Sequence, residues 1–476
     1  MPQTGHIVPG HKGKTILVSV FDSNMVRNIL RTNVFSALVL DSAVARIVLL
    51  VHPLKLKEYT AEFGSDKVIV EPYPSGLPSR GELITWFLMR HTIQTKNVRA
   101  KIDELYITGG GGRGARLVKY LSALCVFYAS KLWFIKEIIR RLTIVAHNAH
   151  TFAGILESHA PDLVFLPTIF ATNDIRLLKA CVRRGIPTIG MVKSWDNLLG
   201  KDPLLLWPDR LVVHNHIVAG HAMRMHGYPE SRIFVSGIPQ MDVYADPAYP
   251  LSREELFASL GLDPRKRLIV YAAVGILISY HEVNVIRTIA DIVAEHEVPD
   301  DVQLLVRLHP AYPSDEEKLQ GMLLVVSRPG KVGAEHNPLR FDFEFHERET
   351  RELAATLAHA DVIMQSGSTI AIDAACFDTP IISIGFDGDG FKEVWERSAK
   401  RLLEKDHFQA IIETSGTWTV FSHDELVEAL NAYLTDPTRD REGRARIVSE
   451  QCYLLDGNAG KRIGEYILAT LNETPR

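Results

Sequence analysis

A chain of 476 residues, 46% apolar and 23% charged, has the make-up of a soluble globular protein. It is longer than one hydrophobic core usually grows, so two domains are expected. The net charge of −4 excludes the basic balance of an ordinary nucleic-acid binder. Cys125, Cys181, Cys376 and Cys452 lie far apart with no CxxC. That spacing points to a reducing compartment and away from a zinc site or a disulfide framework. Residues 1–14 are polar and rich in Gly and Pro, unlike a signal peptide, so a cytoplasmic protein is expected.

The elements alternate from the start. Residues 15–21 form an apolar run of strand length, followed by Asp22-Ser23-Asn24 and a helix expected over 25–38 that carries Arg27 and Arg31. Strands are expected at 45–51 and 67–70. This β-α-β order belongs to a doubly wound α/β sheet, whose ligands sit beyond the carboxyl ends of the strands. Asp22 lies there for the first strand.

Leu105-Tyr106-Ile107-Thr108 reads as a strand running into Gly109-Gly110-Gly111-Gly112. The glycine run lacks the Lys-Ser/Thr of a P-loop and the Rossmann spacing, so a hinge, lid or linker fits it better. Residues 113–142 carry seven Lys/Arg against Glu137 alone, interleaved with Leu, Val, Phe and Trp. Lys119 and Lys131 interrupt the apolar run, so it is no membrane span. Two readings fit: a basic amphipathic surface for an anionic membrane, or a helix pair covering the sheet.

Further strands are expected at 162–166, 186–192, 209–213 and 233–237, and Asp246-Pro247-Ala248-Tyr249-Pro250 looks like an interdomain linker. The alternation then restarts: a strand at 268–274 ending at Gly275, a helix at 283–294, and a strand at 302–308 running into His309-Pro310. Residues 330–348 read as irregular, and a last helix opens after Asp456-Gly457-Asn458.

The most informative stretch is 361–387. Val362-Ile363-Met364 is a short buried strand, Gln365-Ser366-Gly367-Ser368-Thr369 a turn, 370–377 an Ala-rich helix, and Ile381-Ile382-Ser383-Ile384 a second strand. The two strands should be parallel neighbours. Gly367 permits close backbone approach, while Ser366, Ser368 and Thr369 set hydroxyls beside the unpaired amides of a helix start. That suits a phosphate; a plain Ser/Thr cap satisfies the same residues.

Five stretches together resemble a GT-B glycosyltransferase, nearest the CDP-glycerol glycerophosphotransferase and surface-polysaccharide glycosyltransferase group and more distantly the UDP-GlcNAc 2-epimerases. They are Lys193-Ser194-Trp195-Asp196-Asn197-Leu198, Gly237-Ile238-Pro239-Gln240-Met241-Asp242, Arg307-Leu308-His309-Pro310, Ser366-Gly367-Ser368-Thr369 with Asp373-Ala374-Ala375, and Asp456-Gly457-Asn458-Ala459. The resemblance implies two Rossmann-like domains facing a cleft. Residues 1–246 would form the acceptor side, 247–434 the nucleotide-donor side, and 435–476 helices returning to the first domain. It implies transfer of a sugar or glycerophosphate from a nucleotide-activated donor to a hydroxyl of a surface polysaccharide or lipid-linked acceptor, at the inner face of the cytoplasmic membrane. The alternatives are an epimerase-type isomerase and a non-catalytic nucleotide-sugar-binding module.

On this reading Gly275, Glu282, Arg307, His309, Ser366, Gly367, Ser368, Thr369 and Asp373 line the donor site, with His309 and Arg307 at the donor phosphate. Glu282 either meets the donor or is a helix-start acid. Asp373, one turn after Thr369, either orients the hydroxyls or steadies the turn. Asp22 and Asp196 are the candidate bases for the acceptor hydroxyl. No cofactor or metal is expected: Asp387-Gly388-Asp389 spells a DxD but reads as a Gly/Asp turn. His214, His216, His221 and His226 lack an acidic or Cys partner for a metal and read as a solvated helix face with loop histidines.

Overall fold

The computed structural model describes residues 13–473 except 75, 108–109, 311, 313, 330–345 and 391–394. Two parallel sheets carry it. The first comprises β1 (Lys14–Val20), β2 (Val44–Val51), β3 (Val68–Pro72), β4 (Leu163–Leu166), β5 (Thr188–Met191), β6 (Arg210–Val213) and β7 (Ile233–Val235). Its order is β3-β2-β1-β4-β5-β6-β7. The second comprises β8 (Arg267–Ala272), β9 (Val302–Arg307), β10 (Val325–Ser327), β11 (Val362–Gln365), β12 (Ile381–Ile384) and β13 (Trp418–Val420), in the order β10-β9-β8-β11-β12-β13.

The strands read as unbroken apolar runs because helices cover both faces of each sheet. On β1, Ile16, Val18 and Val20 point into one core and Leu17 and Phe21 into another. The first of those cores is completed by Val34, Phe35 and Leu38 and by Ile463, Ile467 and Leu471 of the last helix, Ala459–Glu473. That helix runs so close to Asn33–Leu40 that a Cβ on Gly464 would meet the Ala37 Cβ at 2.6 Å. In the second sheet, the Val362–Gln365 strand, the helix Ile370–Cys376 and the Ile381–Ile384 strand form the expected unit. Its strands pair in parallel, with Ile363 opposite Ile381.

The chain order reverses between β1 and β4 in one sheet and between β8 and β11 in the other. At such a switch point the connections leave in opposite directions and open a crevice at the carboxyl ends. Asp22 therefore borders one crevice, and the Gly275 loop and Ser366–Thr369 turn border the other.

Three expectations are corrected. The helix expected over 25–38 is broken: a π-helical turn, Val26–Leu30, ends at Thr32, whose hydroxyl bonds Ile29 O and caps the helix Asn33–Leu40. Leu105-Tyr106-Ile107 is no strand but the last turn of the helix Lys96–Ile107, whose buried Val98 and Ile102 lie one turn apart. Thr108 and Gly109 fall outside the described residues, as does 330–345 of the irregular stretch. The four histidines do not form a solvated face. His214 and His226 are buried, and His226 accepts from Leu204 N through Nδ1 and faces Leu198 O through Nε2.

The chain passes between the sheets twice, through Pro239–Ala245 and again before Ala459. Asp242 joins the two passages: its carboxylate accepts from Ala459 N (2.8 Å) and Gly460 N (2.7 Å), capping the last helix. Losing a cap costs on the order of 1–2 kcal/mol. Asp242→Ala is therefore expected to lower the unfolding free energy by that much, read as a lower denaturant midpoint, and to speed proteolysis near residue 456; an unchanged midpoint would show that the cap carries no stability.

Candidate active site

At the first switch point a cavity of about 440 Å³ is lined by Phe21 and Asp22 after β1, Thr168, Phe170 and Thr172 after β4, and Lys193 after β5, with Glu82 and Trp86 opposite. Asp22 Oδ2 meets Lys193 Nζ at 2.5 Å, and Asp22 Oδ1 accepts from Asn24 N at 3.0 Å. Burial pushes the Asp22 carboxyl up, but the Lys193 charge and these hydrogen bonds outweigh it, and the net direction is down. Asp174 lies close behind. It is fully buried, one oxygen accepts from Ala171 N, the other has no partner, and burial pushes its carboxyl up to about 8. The sequence carries a signal for this residue that the reading above passed over: Asp174 stands at the third helical position after β4, at a switch point.

The Lys193–Leu198 loop leads to the seam between the two halves. Trp195 offers no sugar platform; it is buried edge-on to His407 (4.8 Å) and near Phe408 (6.3 Å) of the second half. Asp196 accepts from Ser194 Oγ (2.7 Å) and lies 3.4 Å from Lys201 Nζ. Burial opposes its ionisation, but Lys201, His407, Ser194 and Lys101 bring it down to about 2. Lys101 is pushed the other way, to about 7, by burial and by Arg90.

At the second switch point, Gly275 adopts φ +84°, a conformation open to glycine. Glu282 is 1% exposed, and its carboxylate accepts from Val274 N (2.5 Å) and Gly275 N (3.0 Å). It shapes the glycine loop instead of reaching out to a donor, and burial pushes it up to about 7. Across the crevice the Ser366 hydroxyl is buried beside Tyr271. Gly367 has φ +73°, and a Cβ there would strike Leu402 at 2.8 Å. The helix start is partly capped from within, since Gln365 accepts from Ser368 N (2.7 Å) and Ser368 from Ile370 N (3.4 Å). Thr369 is exposed.

His309 Nδ1 accepts from Tyr312 N at 3.0 Å. In the neutral ring that leaves the proton on Nε2, where it can donate to a phosphate oxygen. Arg307 is 4% exposed, bonds Glu352 at 3.2 Å through Nη1, and has no partner at Nη2. Asp373 does not serve the Ser/Thr turn. It accepts from Tyr244 Oη at 2.9 Å, and the charges of Arg27 and Arg307 bear on this pair from either side of the cleft. The structure thus groups Asp22 with Lys193, Asp196 with the seam lysines, and Gly275 with Glu282. The carboxylates of the DxD-like turn are engaged elsewhere: Asp387 accepts from Ala399 N (2.8 Å) and Asp389 pairs with His423 (2.7 Å).

Residues 202–469 match the family model described as CDP-glycerol:poly(glycerophosphate) glycerophosphotransferase. The chain belongs to this family. It is accordingly a transferase of the nucleotide-donor class. No curated protein matches the chain. Solved structures that resemble it include S. aureus MnaA in a co-structure with UDP, at 14% identity and TM-score 0.53, covering 96% of this chain and 97% of that one. A Neisseria meningitidis UDP-GlcNAc 2-epimerase bound to UDP-GlcNAc matches at 11% identity and TM-score 0.54 (96% and 100% covered). A putative UDP-N-acetylglucosamine 2-epimerase from Listeria monocytogenes matches at 12% identity and TM-score 0.54 (98% and 98%). At this identity the likeness concerns the fold, which is GT-B.

The depressed Lys101 generates a pH test. Its folded pKa lies below the unfolded value, so between about pH 7 and 10 the unfolded chain binds the extra proton and stability rises with pH. Wild type should therefore gain stability over Lys101→Met across that range. Denaturant midpoints that stay parallel from pH 7 to 10 would refute the burial of this ammonium group.

Proposed function

We propose that the protein moves glycerophosphate, or a sugar, from a cytidine diphosphate-type donor to a hydroxyl of a surface polysaccharide or lipid-linked acceptor. The observation that carries this reading is the family match together with two switch-point crevices of opposite character. One holds a ligand-sized cavity with a carboxylate held by a lysine. The other holds a glycine loop, a Ser/Gly/Ser/Thr turn and a histidine whose donor nitrogen is set by its own backbone contact.

In this mechanism the Gly275 loop and residues 366–369 seat the donor. His309 donates through Nε2 to a donor phosphate oxygen, and Arg307, close behind, adds positive charge as the nucleotide departs. Asp22 takes the acceptor proton. Lys193 keeps it ionised and, by the same contact, limits its basicity, so removal of the proton is concerted with transfer. Asp196 is a positioning residue that holds the seam. The epimerase likeness does not extend this far, because it rests on fold alone.

The membrane reading of 113–142 gains support from exposure. The stretch folds as two helices, Arg113–Ala129 and Trp133–Ala146. Val118 (64%), Leu121 (53%), Trp133 (79%) and Val145 (78%) face outward. No helix among the described residues is long and apolar enough to cross a membrane. The charge count is weaker than the sequence implies. Lys136 bonds Met225 O, Arg116 bonds Ile107 O, and Arg140 stacks on Trp207. Apolar insertion therefore supplies more of the binding than cationic attraction does.

Two outcomes check these readings. CDP should raise the melting temperature, and His309→Ala should cut kcat/KM for transfer by roughly 100-fold while the fold survives; full activity in His309→Ala would refute the donor-site assignment. Trp133→Ser with Val118→Ser should abolish co-sedimentation with anionic vesicles, while high salt should weaken it only in part. Equal, negligible pelleting of wild type with anionic and neutral vesicles would leave the helix pair as a cover on the sheet.

A further inference from the structure

The four cysteines are scattered along the sequence, yet the fold brings two of them together where the chain passes between the sheets. Cys376 ends the helix Ile370–Cys376, and Cys452 ends a π-helical turn, Val448–Cys452, on the second passage. Their sulfurs lie 3.7 Å apart. Cys452 also donates to Met241 Sδ, at 3.9 Å, on the first passage. The same turn is tied to the first half: Asn215 Nδ2 donates to Gln451 O (2.7 Å), and the Tyr453 ring stands edge-on to His216 (5.3 Å). Of the other two thiols, Cys125 is exposed, and Cys181 is buried and pushed up to about 12 by that burial.

The two sulfurs are already in contact, and a bond between them needs only roughly 1.7 Å of further approach. The backbone beside Cys452 is irregular on both sides. Before it lies the π-helical turn. After it, Tyr453 holds φ +68° and ψ −74° in a γ-turn closed by Leu454 N on Cys452 O (2.9 Å). That hand of γ-turn is strained for a residue with a side chain, so neighbouring contacts hold this segment in place. Access is one-sided: Cys376 is half-buried, whereas Cys452 is 1% exposed. The contact with Cys452 and burial push the Cys376 thiol up, so its attack on an oxidant is slow and answers only sustained exposure.

We propose that Cys376 and Cys452 form a reversible oxidation site, which closes to a disulfide under peroxide and reopens with a thiol reductant. The Cys376 sulfur attacks a peroxide oxygen, the O–O bond breaks, and water leaves with the thiol proton, giving a sulfenic acid. The Cys452 sulfur then attacks that sulfur, forming the S–S bond and releasing the hydroxyl as a second water. Two electrons pass from the sulfurs to the peroxide, and a dithiol returns them. The consequence for catalysis rests on the donor reading above; the bond itself does not. Cys376 stands seven residues after Thr369, about 10 Å along the helix. Drawing it towards the second passage therefore moves the Ser366–Thr369 turn. A displacement of about 1 Å at a site of transfer is costly, so the closed pair slows turnover.

The test uses the full chain carrying Cys125→Ser, which removes the exposed thiol. The protein is treated with hydrogen peroxide, alkylated, digested without reductant and mapped by mass spectrometry. A cross-linked peptide joining residues 376 and 452 is expected, lost after dithiothreitol and absent when Cys376→Ser is added. Turnover should fall roughly tenfold on oxidation and return with dithiothreitol. With Cys376→Ser it should not respond to peroxide, and Cys452→Ala, which breaks the pair from the other side, should behave alike. Both thiols found alkylated, at a peroxide dose that oxidises Cys125 in wild type, overturns the proposal. An equal loss of turnover in Cys376→Ser overturns its consequence for catalysis, since the damage would then lie elsewhere. A cross-link that forms and reverses in a protein with no transfer from a CDP-linked donor in either state would sink the donor reading and leave the oxidation site standing. Matching melting temperatures of the reduced proteins confirm that the variants are folded.

Discussion

The Asp242 carboxylate, seated on the amides of Ala459 and Gly460, is the contact on which the two-sheet arrangement depends. The chain crosses from the first sheet to the second and later returns, and a cleft of fixed shape needs those two passages to stay in register. Asp242 does this with one side chain, satisfying two of the amides that any helix start leaves unpaired. Around it the approach is close: a Cβ on Gly237 would meet Ala459 at 3.0 Å, and one on Gly460 would meet Asp242 at 3.1 Å. The last helix is thereby built into the core of the first half, with Ile463, Ile467 and Leu471 fully buried. Two stretches singled out separately in the sequence, Gly237 to Asp242 and Asp456 to Ala459, thus prove to be the two sides of one joint.

Charge is distributed across the cleft by the same logic of burial. In the first crevice the Asp22–Lys193 pair is the ionised element, and Asp174 behind it is pushed towards its neutral form. Two carboxyls so close to one lysine cannot both ionise cheaply, and burial decides which one yields. At the seam the balance reverses, with Lys101, Lys201 and Lys405 gathered near Asp196.

Much of this was legible in the sequence where one residue type has one physical use. The strands could be read because burial on both faces leaves them apolar throughout, and the 362–384 unit because Gly367 and Pro380 punctuate it. What escaped was decided by partners distant in the chain. Leu105-Tyr106-Ile107 is locally as apolar as a strand, and only the packing of Val98 and Ile102 reveals a helix. Asp373 stands at helical spacing from Thr369, but its partner is Tyr244, from the other passage of the chain. Nothing about Lys101 or Lys405 marks them as converging, since the seam that gathers them is built from the helix Lys96–Ile107 and the region around Asp406.

A GT-B fold serves both transferases and isomerases, so the fold does not distinguish between them; the family match does, and each carboxylate has its own fate. An isomerase that removes and restores a proton at a sugar carbon needs acidic groups converging on that carbon. Here Glu282 is spent on its own loop, Asp373 on Tyr244, Asp387 on Ala399 N and Asp389 on His423. Asp22 and Asp174 share the first crevice with Lys193, and Asp196 stands at the seam beside Lys201. Transfer requires one carboxylate to receive a hydroxyl proton and positive charge for the departing phosphate. Isomerisation would require a pair converging on one carbon, and in the first crevice burial drives Asp174, the carboxyl nearest Asp22, towards its neutral form.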